Sequence, residues 1–170
     1  MQIDKKDYRP ELHDVFKALT VKQPYADLLT RPVFNEEIKD FQAKKTIEVR
    51  TRNISYRGKL LICSSAKPVI PGLLSGVTLG FVELYDVKPI EDFTEADWDA
   101  TCIPEKDRPK KGYGWMMRNA RRVIEMPVKG QLGLYDIVVP IGDITEFPRV
   151  VALDSDGWKI VNKKIIQEKK

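Results

Sequence analysis

Apolar and polar residues alternate with a period of two along much of this chain, and that pattern predicts strands. In FKALTVK, Phe16, Ala18 and Thr20 alternate with Lys17, Leu19 and Val21. KTIEVRT repeats the pattern: Ile47 and Val49 point one way, while Thr46, Glu48 and Arg50 point the other, joined by Arg52 if the strand runs on. GKLLICSS is a near-continuous apolar run of strand length, which predicts a strand buried on both faces. VTLGFVELYDVKPI is a longer candidate in which Gly80 signals a bulge or bend. YGWMMRNARRVIEMPVKG reads as another strand with a polar middle and a stop at Gly130. RVVAL and WKIV, placed about a turn ending in Asp156 and Gly157, give a hairpin signal.

Helical spacing is confined to short pieces. In QPYADLLT, Pro24 suits a first helical turn and Tyr25, Leu28 and Leu29 recur at helical spacing, so the first strand hands over to a helix at Gln23. TEADWDAT carries a start signature, with Thr94 as cap and Asp97 three residues on. RPVFNEEIKDFQA reads as a polar connection or small insertion, and the first dozen residues as loose chain. Six or more short strands with few helices predict an α+β, mainly β fold, a small closed or partly closed barrel with short flanking helices. A parallel α/β sheet would need a helix after every strand, which the pattern does not supply.

Composition narrows the class further. A chain of 170 residues with 42% hydrophobic and 32% charged residues fits one soluble globular domain with decorations. The expected division is an amino-terminal extension over 1–15, a barrel over 16–140, and a carboxy-terminal extension with hairpin and basic tail over 141–170. No apolar run approaches the roughly 18 residues of a membrane span, and the amino terminus lacks a secretory apolar stretch. Two cysteines cannot form a disulfide framework, so a cytoplasmic location is expected. With only His13 beside Cys63 and Cys102, no metal site is expected, and no cofactor either.

The net charge of +4 is mild, but it is segregated. Residues 44–67 carry seven basic side chains against Glu48 alone, and residues 106–129 carry eight against Asp107 and Glu125. Between them, residues 83–99 hold seven acids against Lys88. Two basic blocks brought together would form a surface that favours polyanions, whereas two solvated faces would only keep the chain soluble.

The candidate chemistry centres on residues 44–58. Alternate residues on a strand lie about 6.6–7 Å apart, so Glu48 can hold an arginine directly or through a neighbouring strand. The face is either ordinary exposed surface or a carboxylate fixing guanidinium forks for phosphates or base edges. At the strand-to-helix junction, Lys22 and Gln23 precede the helix and are free to act, while Tyr25 belongs to the apolar stripe. Asn119 sits mid-strand, where asparagine is disfavoured, as a bulge residue or a base-reading amide. Trp115 reads as core. Lys45, with Thr46 and Glu48 nearby, offers a possible desolvated base or a strand decoration. No nucleophile elbow, phosphate loop or Cys–His arrangement is present in the sequence.

ALTVKQPYADLL, KTIEVRTRNISYRGKLLICSSAKP, GVTLGFVELYDV and YGWMMRNARRVIEMPVKGQLGLYDI, in this order, resemble the ASCH domain, a branch of the PUA-like superfamily. The resemblance implies a PUA-like barrel that binds RNA or DNA, or a nucleoside or nucleotide, in a positive cleft between barrel and first helix. It carries Lys22, Gln23, Pro24, Lys45, Glu48, Arg50 and Arg52 into that cleft, with Arg57, Lys67, Asn119 and Lys129 as walls. In the resulting arrangement, phosphates meet Lys45, Arg52, Arg57 and Lys67, while Gln23, Asn119 and the Glu48–Arg50 pair contact a base. Some small members hydrolyse acetylated cytidine with a lysine and, three residues on, a threonine. This chain keeps the lysine as Lys45 but has Glu48 at the threonine position. The leading expectation is therefore a non-enzymatic nucleic-acid-binding domain. The alternatives are an amidohydrolase using Lys45 and Glu48, and a scaffold whose carboxy-terminal tail recruits a protein partner.

Overall fold

The computed structural model describes residues 1–147 in full and, beyond them, the backbone of Arg149–Asp154 and Gly157–Val161. Along the chain run β1 (His13–Val21), α1 (Tyr25–Thr30), β2 (Pro32–Asn35), β3 (Asp40–Ala43), β4 (Ile47–Arg50), β5 (Gly58–Ser64), β6 (Thr78–Pro89), α2 (Glu95–Thr101), β7 (Tyr113–Arg122), β8 (Leu134–Pro140), β9 (Arg149–Asp154) and β10 (Gly157–Val161). Six of these strands form one curled sheet in the order β4-β7-β6-β5-β1-β8. β1 and β5 are parallel, and every other neighbouring pair in it is antiparallel. The sheet keeps two edges, β4 and β8, so it is a partly closed barrel. A side chain spans the gap: Nη2 of Arg50 on β4 donates to the carbonyl of Thr20 on β1 at 3.0 Å.

Both faces of the sheet are buried. The inner face carries Leu19, Val21, Leu60, Ile62, Val82, Leu84, Trp115 and Met117, and α1 lays Ala26 and Leu29 against it. The outer face carries Ala18, Leu61, Cys63, Phe81, Val123, Tyr135, Ile137 and Val139, covered by Met126, Val128 and Ile144. This explains the unbroken apolar run of β5, whose successive residues serve two different cores. Leu60 and Leu61 are both fully buried, and each such side chain contributes about 1.5–3 kcal/mol of burial free energy.

Local signals account for several element ends. Thr94 and Asp97 form a reciprocal cap on α2: Asp97 N–H donates to Thr94 Oγ1 at 3.1 Å and Thr94 N–H to Asp97 Oδ2 at 2.9 Å. Gly80 marks a close approach, since a Cβ there would lie 2.4 Å from the Arg121 carbonyl oxygen and 2.9 Å from Thr30 Cβ. The anticipated irregularity follows at once, as a register shift between Phe81 and Glu83 against β7. On the β7 side, Asn119 takes the left-handed conformation with φ of 58°, so its place mid-strand is that of a bulge residue.

Three segments depart from the sequence reading. Residues 32–43 are not a plain polar connection but the β2–β3 hairpin, its turn held by Asn35 Oδ1 accepting from Glu37 N–H at 2.9 Å, and Phe34 packs edge-on to Phe41. The acidic turn residues masked a short alternation. The first residues are pinned rather than loose, through a bridge of Ile3 to Val138 and an ion pair of Lys5 to Asp136. β7 ends at Arg122, short of Gly130. The anticipated carboxy-terminal hairpin is present as the antiparallel β9–β10 pair, separate from the main sheet. Residues 155 and 156, where the sequence reading placed the turn, and the basic tail 162–170 lie outside the described residues. Among the described residues no helix is long and apolar enough to cross a membrane.

Candidate nucleic-acid interface

Residues 44–50 are stitched into the fold before any side chain is considered. Lys45 N–H donates to Leu28 O in α1 and Thr46 N–H to Ala100 O in α2, so the approach to β4 is clamped between the two helices. The Lys45 side chain then turns inward and is only 1% exposed. Its ammonium donates to the carbonyls of Thr101 at 2.6 Å and Ile47 at 2.8 Å, and meets Glu48 Oε2 at 3.2 Å. Tyr25 lies beside it, with its ring centroid 5.0 Å away. Burial pushes the Lys45 ammonium below the ordinary lysine range, and the Glu48 carboxylate pulls the other way. An ammonium has three N–H donors, and here each has an oxygen partner.

β4 pairs with β7 so that Glu48 lies opposite Trp115 and Arg50 opposite Tyr113. Cross-strand partners share a face, so Glu48 and Arg50 belong to the inner face, over the main core. Glu48 Oε1 accepts from Arg50 Nε at 3.1 Å, and the Arg50 guanidinium lies over the Trp115 ring at 6.0 Å. With Nη2 bound to Thr20 O, the fork is fixed at two points, and its Nη1 amino group has no partner among the described residues. The order Lys45, Glu48, Arg50, Thr20 thus runs from interior to rim.

At that rim a cavity of about 350 Å³ opens. Arg50, Thr51, Arg52 and Ile54 form one wall, Leu132, Gly133 and Leu134 the other, and Trp115 closes the back. Trp115 is 2% exposed and donates its indole N–H to Arg52 O at 3.0 Å, so it is core, as expected, and shapes the cavity through the backbone it holds. Its volume lies in the range of small-molecule sites.

The remaining candidates divide. Lys22 and Lys67 are exposed and make no ion pair among the described residues. They lie at the same end of the parallel pair β1 and β5, where Ser65 N–H donates to Val21 O at 2.9 Å. Arg52 is exposed just past the end of β4, which stops at Arg50. Pro24, at a cis Gln23–Pro24 bond, begins α1.

Gln23 is not free to reach a ligand. It is 3% exposed, its Nε2 donating to Leu74 O and its Oε1 accepting from Asp27 N–H, so it caps α1 and ties down the loop between β5 and β6. The Ala26 and Asp27 N–H groups at the start of that helix are occupied, by Lys22 O and Gln23 Oε1, rather than open to anions. Lys45, fully enclosed, cannot meet a backbone phosphate. Asn119 donates to Glu83 Oε2 at 2.9 Å, on the face that carries Phe81, so it does not wall the same cavity. Arg57 folds back on the carbonyls of Ile54 and Tyr56 and approaches Asp86. The second basic block is half paired, through its four arginines: Arg108 with Glu95, Arg118 with Glu83, Arg121 with Glu146, and Arg122 with Asp27. Lys129 is exposed but lines a different cavity, beside Lys17 and Lys5.

A family model for the ASCH domain matches residues 19–128. The chain belongs to the ASCH domain family. The curled six-stranded sheet with two short helices is accordingly a PUA-like fold, in a family linked in general to RNA binding and related activities. No match is found among curated proteins. Within the ASCH domain, the sequence reading missed Thr20 and Thr101, which act through main-chain carbonyls that no side-chain pattern announces. It also missed Leu132, 99% exposed between Gly130 and Gly133, where an apolar residue bracketed by glycines was the available signal.

Proposed function

We propose that this ASCH domain binds single-stranded RNA, with a base or nucleoside entering the 350 Å³ cavity beside Arg50 and the flanking backbone meeting Arg52, Lys22 and Lys67. The observation that carries this reading is the fixing of Arg50. Glu48 and the Thr20 carbonyl hold its guanidinium at the cavity wall while Nη1 has no partner among the described residues. A fork oriented before binding loses little entropy when it meets a carbonyl or phosphate oxygen. The free thiols of Cys63 and Cys102 support a reducing, cytoplasmic setting.

The amidohydrolase alternative needs a lysine with an available lone pair facing substrate. The triple coordination and burial of Lys45 favour a structural ammonium instead, so acetylated cytidine should show no turnover above a Lys45→Ala control. Titration of a labelled single-stranded RNA at increasing salt tests the main reading. Affinity should fall steeply, by about 0.7 log units per log unit of salt for each phosphate neutralised, and Arg50→Ala should weaken binding at least about tenfold. Binding indifferent to both salt and Arg50→Ala would overturn it.

A further inference from the structure

A second cavity, of about 670 Å³, opens between the amino-terminal segment and β8. No residue lining it falls within the family-matched segment 19–128. Lys5, Lys17 and Lys129 contribute to its wall, together with Gln131 and the carboxylates of Asp4 and Asp136, a balance of three cations to two anions. Lys5 and Lys17 each reach Asp136 at 2.7 Å, whereas Lys129 makes no ion pair among the described residues, so the cavity is net positive and one cation in it is unspent.

Its position is as informative as its charge. Lys17 lies two residues before Leu19 on β1 and opposite Asp136 on β8, which puts both on the inner face that also bears Glu48 and Arg50. Leu134 lines both cavities, so only the short connection 130–133 separates them. That connection is seated on Thr20: a Cβ on Gly130 would come within 2.9 Å of Thr20 Oγ1, and the same hydroxyl lies 2.7 Å from Tyr135 Oη. Thr20 also supplies the carbonyl that anchors Arg50. One residue of β1 therefore fixes the arginine of the first cavity and the divider between the two.

We infer that an RNA strand held at Arg50 continues over the 130–133 connection, and that a further phosphate is bound in the second cavity by Lys129 and Lys17. This rests on the RNA-binding reading above and extends its footprint beyond the ASCH segment. Leu132, fully exposed at the crest, offers an apolar contact to the nucleotide that crosses it.

The test compares a dinucleotide with a decanucleotide of single-stranded RNA by fluorescence anisotropy across a salt series, using the full chain, Lys129→Ala, and Lys129→Ala combined with Lys17→Gln. The decanucleotide should bind the double variant about tenfold more weakly, with its salt dependence reduced by about 0.7 for each lysine removed from a phosphate. The dinucleotide should be unaffected. Lys129→Ala alone removes an exposed side chain that makes no ion pair among the described residues, and an unchanged thermal melt for it excludes a folding defect as the source of any loss. Unchanged decanucleotide affinity and slope, or an equal loss for both ligands, would overturn the inference. If Arg50→Ala still abolishes binding in that case, the first cavity stands alone. If the unaltered chain binds neither RNA, both readings fail together.

Discussion

Glu48 and Asp136 hold the same arrangement, one carboxylate between two cations, in two different solvents. Glu48 joins Lys45 and Arg50, whose side chains are 1% and 27% exposed, and is itself 12% exposed. Asp136, itself 19% exposed, joins Lys5 and Lys17, which are 75% and 34% exposed, so the two clusters differ in their cations more than in their carboxylates. In the first cluster water cannot replace a lost partner, so each contact is obligatory once the chain has folded. In the second, water competes for both ammonium groups, and the cluster secures the amino-terminal segment without deciding whether the barrel forms. The contrast is a division of labour: a desolvated cluster fixes geometry, and a partly solvated one tethers the amino-terminal segment.

The sharpest way to break this comparison is Glu48→Ala. It strands the buried Lys45 ammonium with two carbonyls and no counter-charge, and should cost about 3–5 kcal/mol in urea denaturation. A Lys45→Met and Glu48→Gln double variant should lose less than the sum of the single changes, because the two residues act as one unit. An additive result would mean that the pair is not coupled. Arg50→Ala comes next. The fold should lose about 1–3 kcal/mol for two hydrogen bonds involving a charged group, and RNA affinity should fall at least about tenfold. Loss of stability with intact RNA affinity would separate the cluster from the cavity.

Asp136→Asn should be the mildest, below about 1 kcal/mol at neutral pH and weaker still in high salt. It also has a pH signature. Hydrogen bonds from Lys17 and Lys5 hold the Asp136 carboxyl below its ordinary value of 3.8. A carboxylate with a lowered folded value stabilises the fold above the unfolded value and loses that contribution as pH falls through the folded one. The difference between the unaltered chain and Asp136→Asn should therefore be present above about pH 4 and vanish in stronger acid. A difference that persists at low pH would mean that Asp136 acts through packing rather than charge.

Much of the barrel was legible because strand alternation and the double-sided burial of β5 are local consequences of which residues are apolar. The capped start of α2 was legible for the same reason, since Thr94 and Asp97 need only each other. The β2–β3 hairpin was not, because its alternation is short and interrupted by the acidic turn at Glu36 and Glu37. Within the site, the shared face of Glu48 and Arg50 could be read from spacing. The roles of Gln23 and Asn119 could not: one amide was claimed by a helix start and a distant loop, the other by Glu83 across a bulge.

The sequence by itself determined the strand content, the pairing of Glu48 with Arg50 on one side, and membership of a family with a PUA-like barrel. These follow from period-two alternation and from ordered motifs. Only the tertiary structure decided that Lys45 points inward, that Thr20 anchors Arg50, and that the arginines of the second basic block are spent on ion pairs while its lysines make none among the described residues. Those outcomes depend on which strands become neighbours and on a one-residue shift at the Asn119 bulge, which sends a side chain to the opposite face.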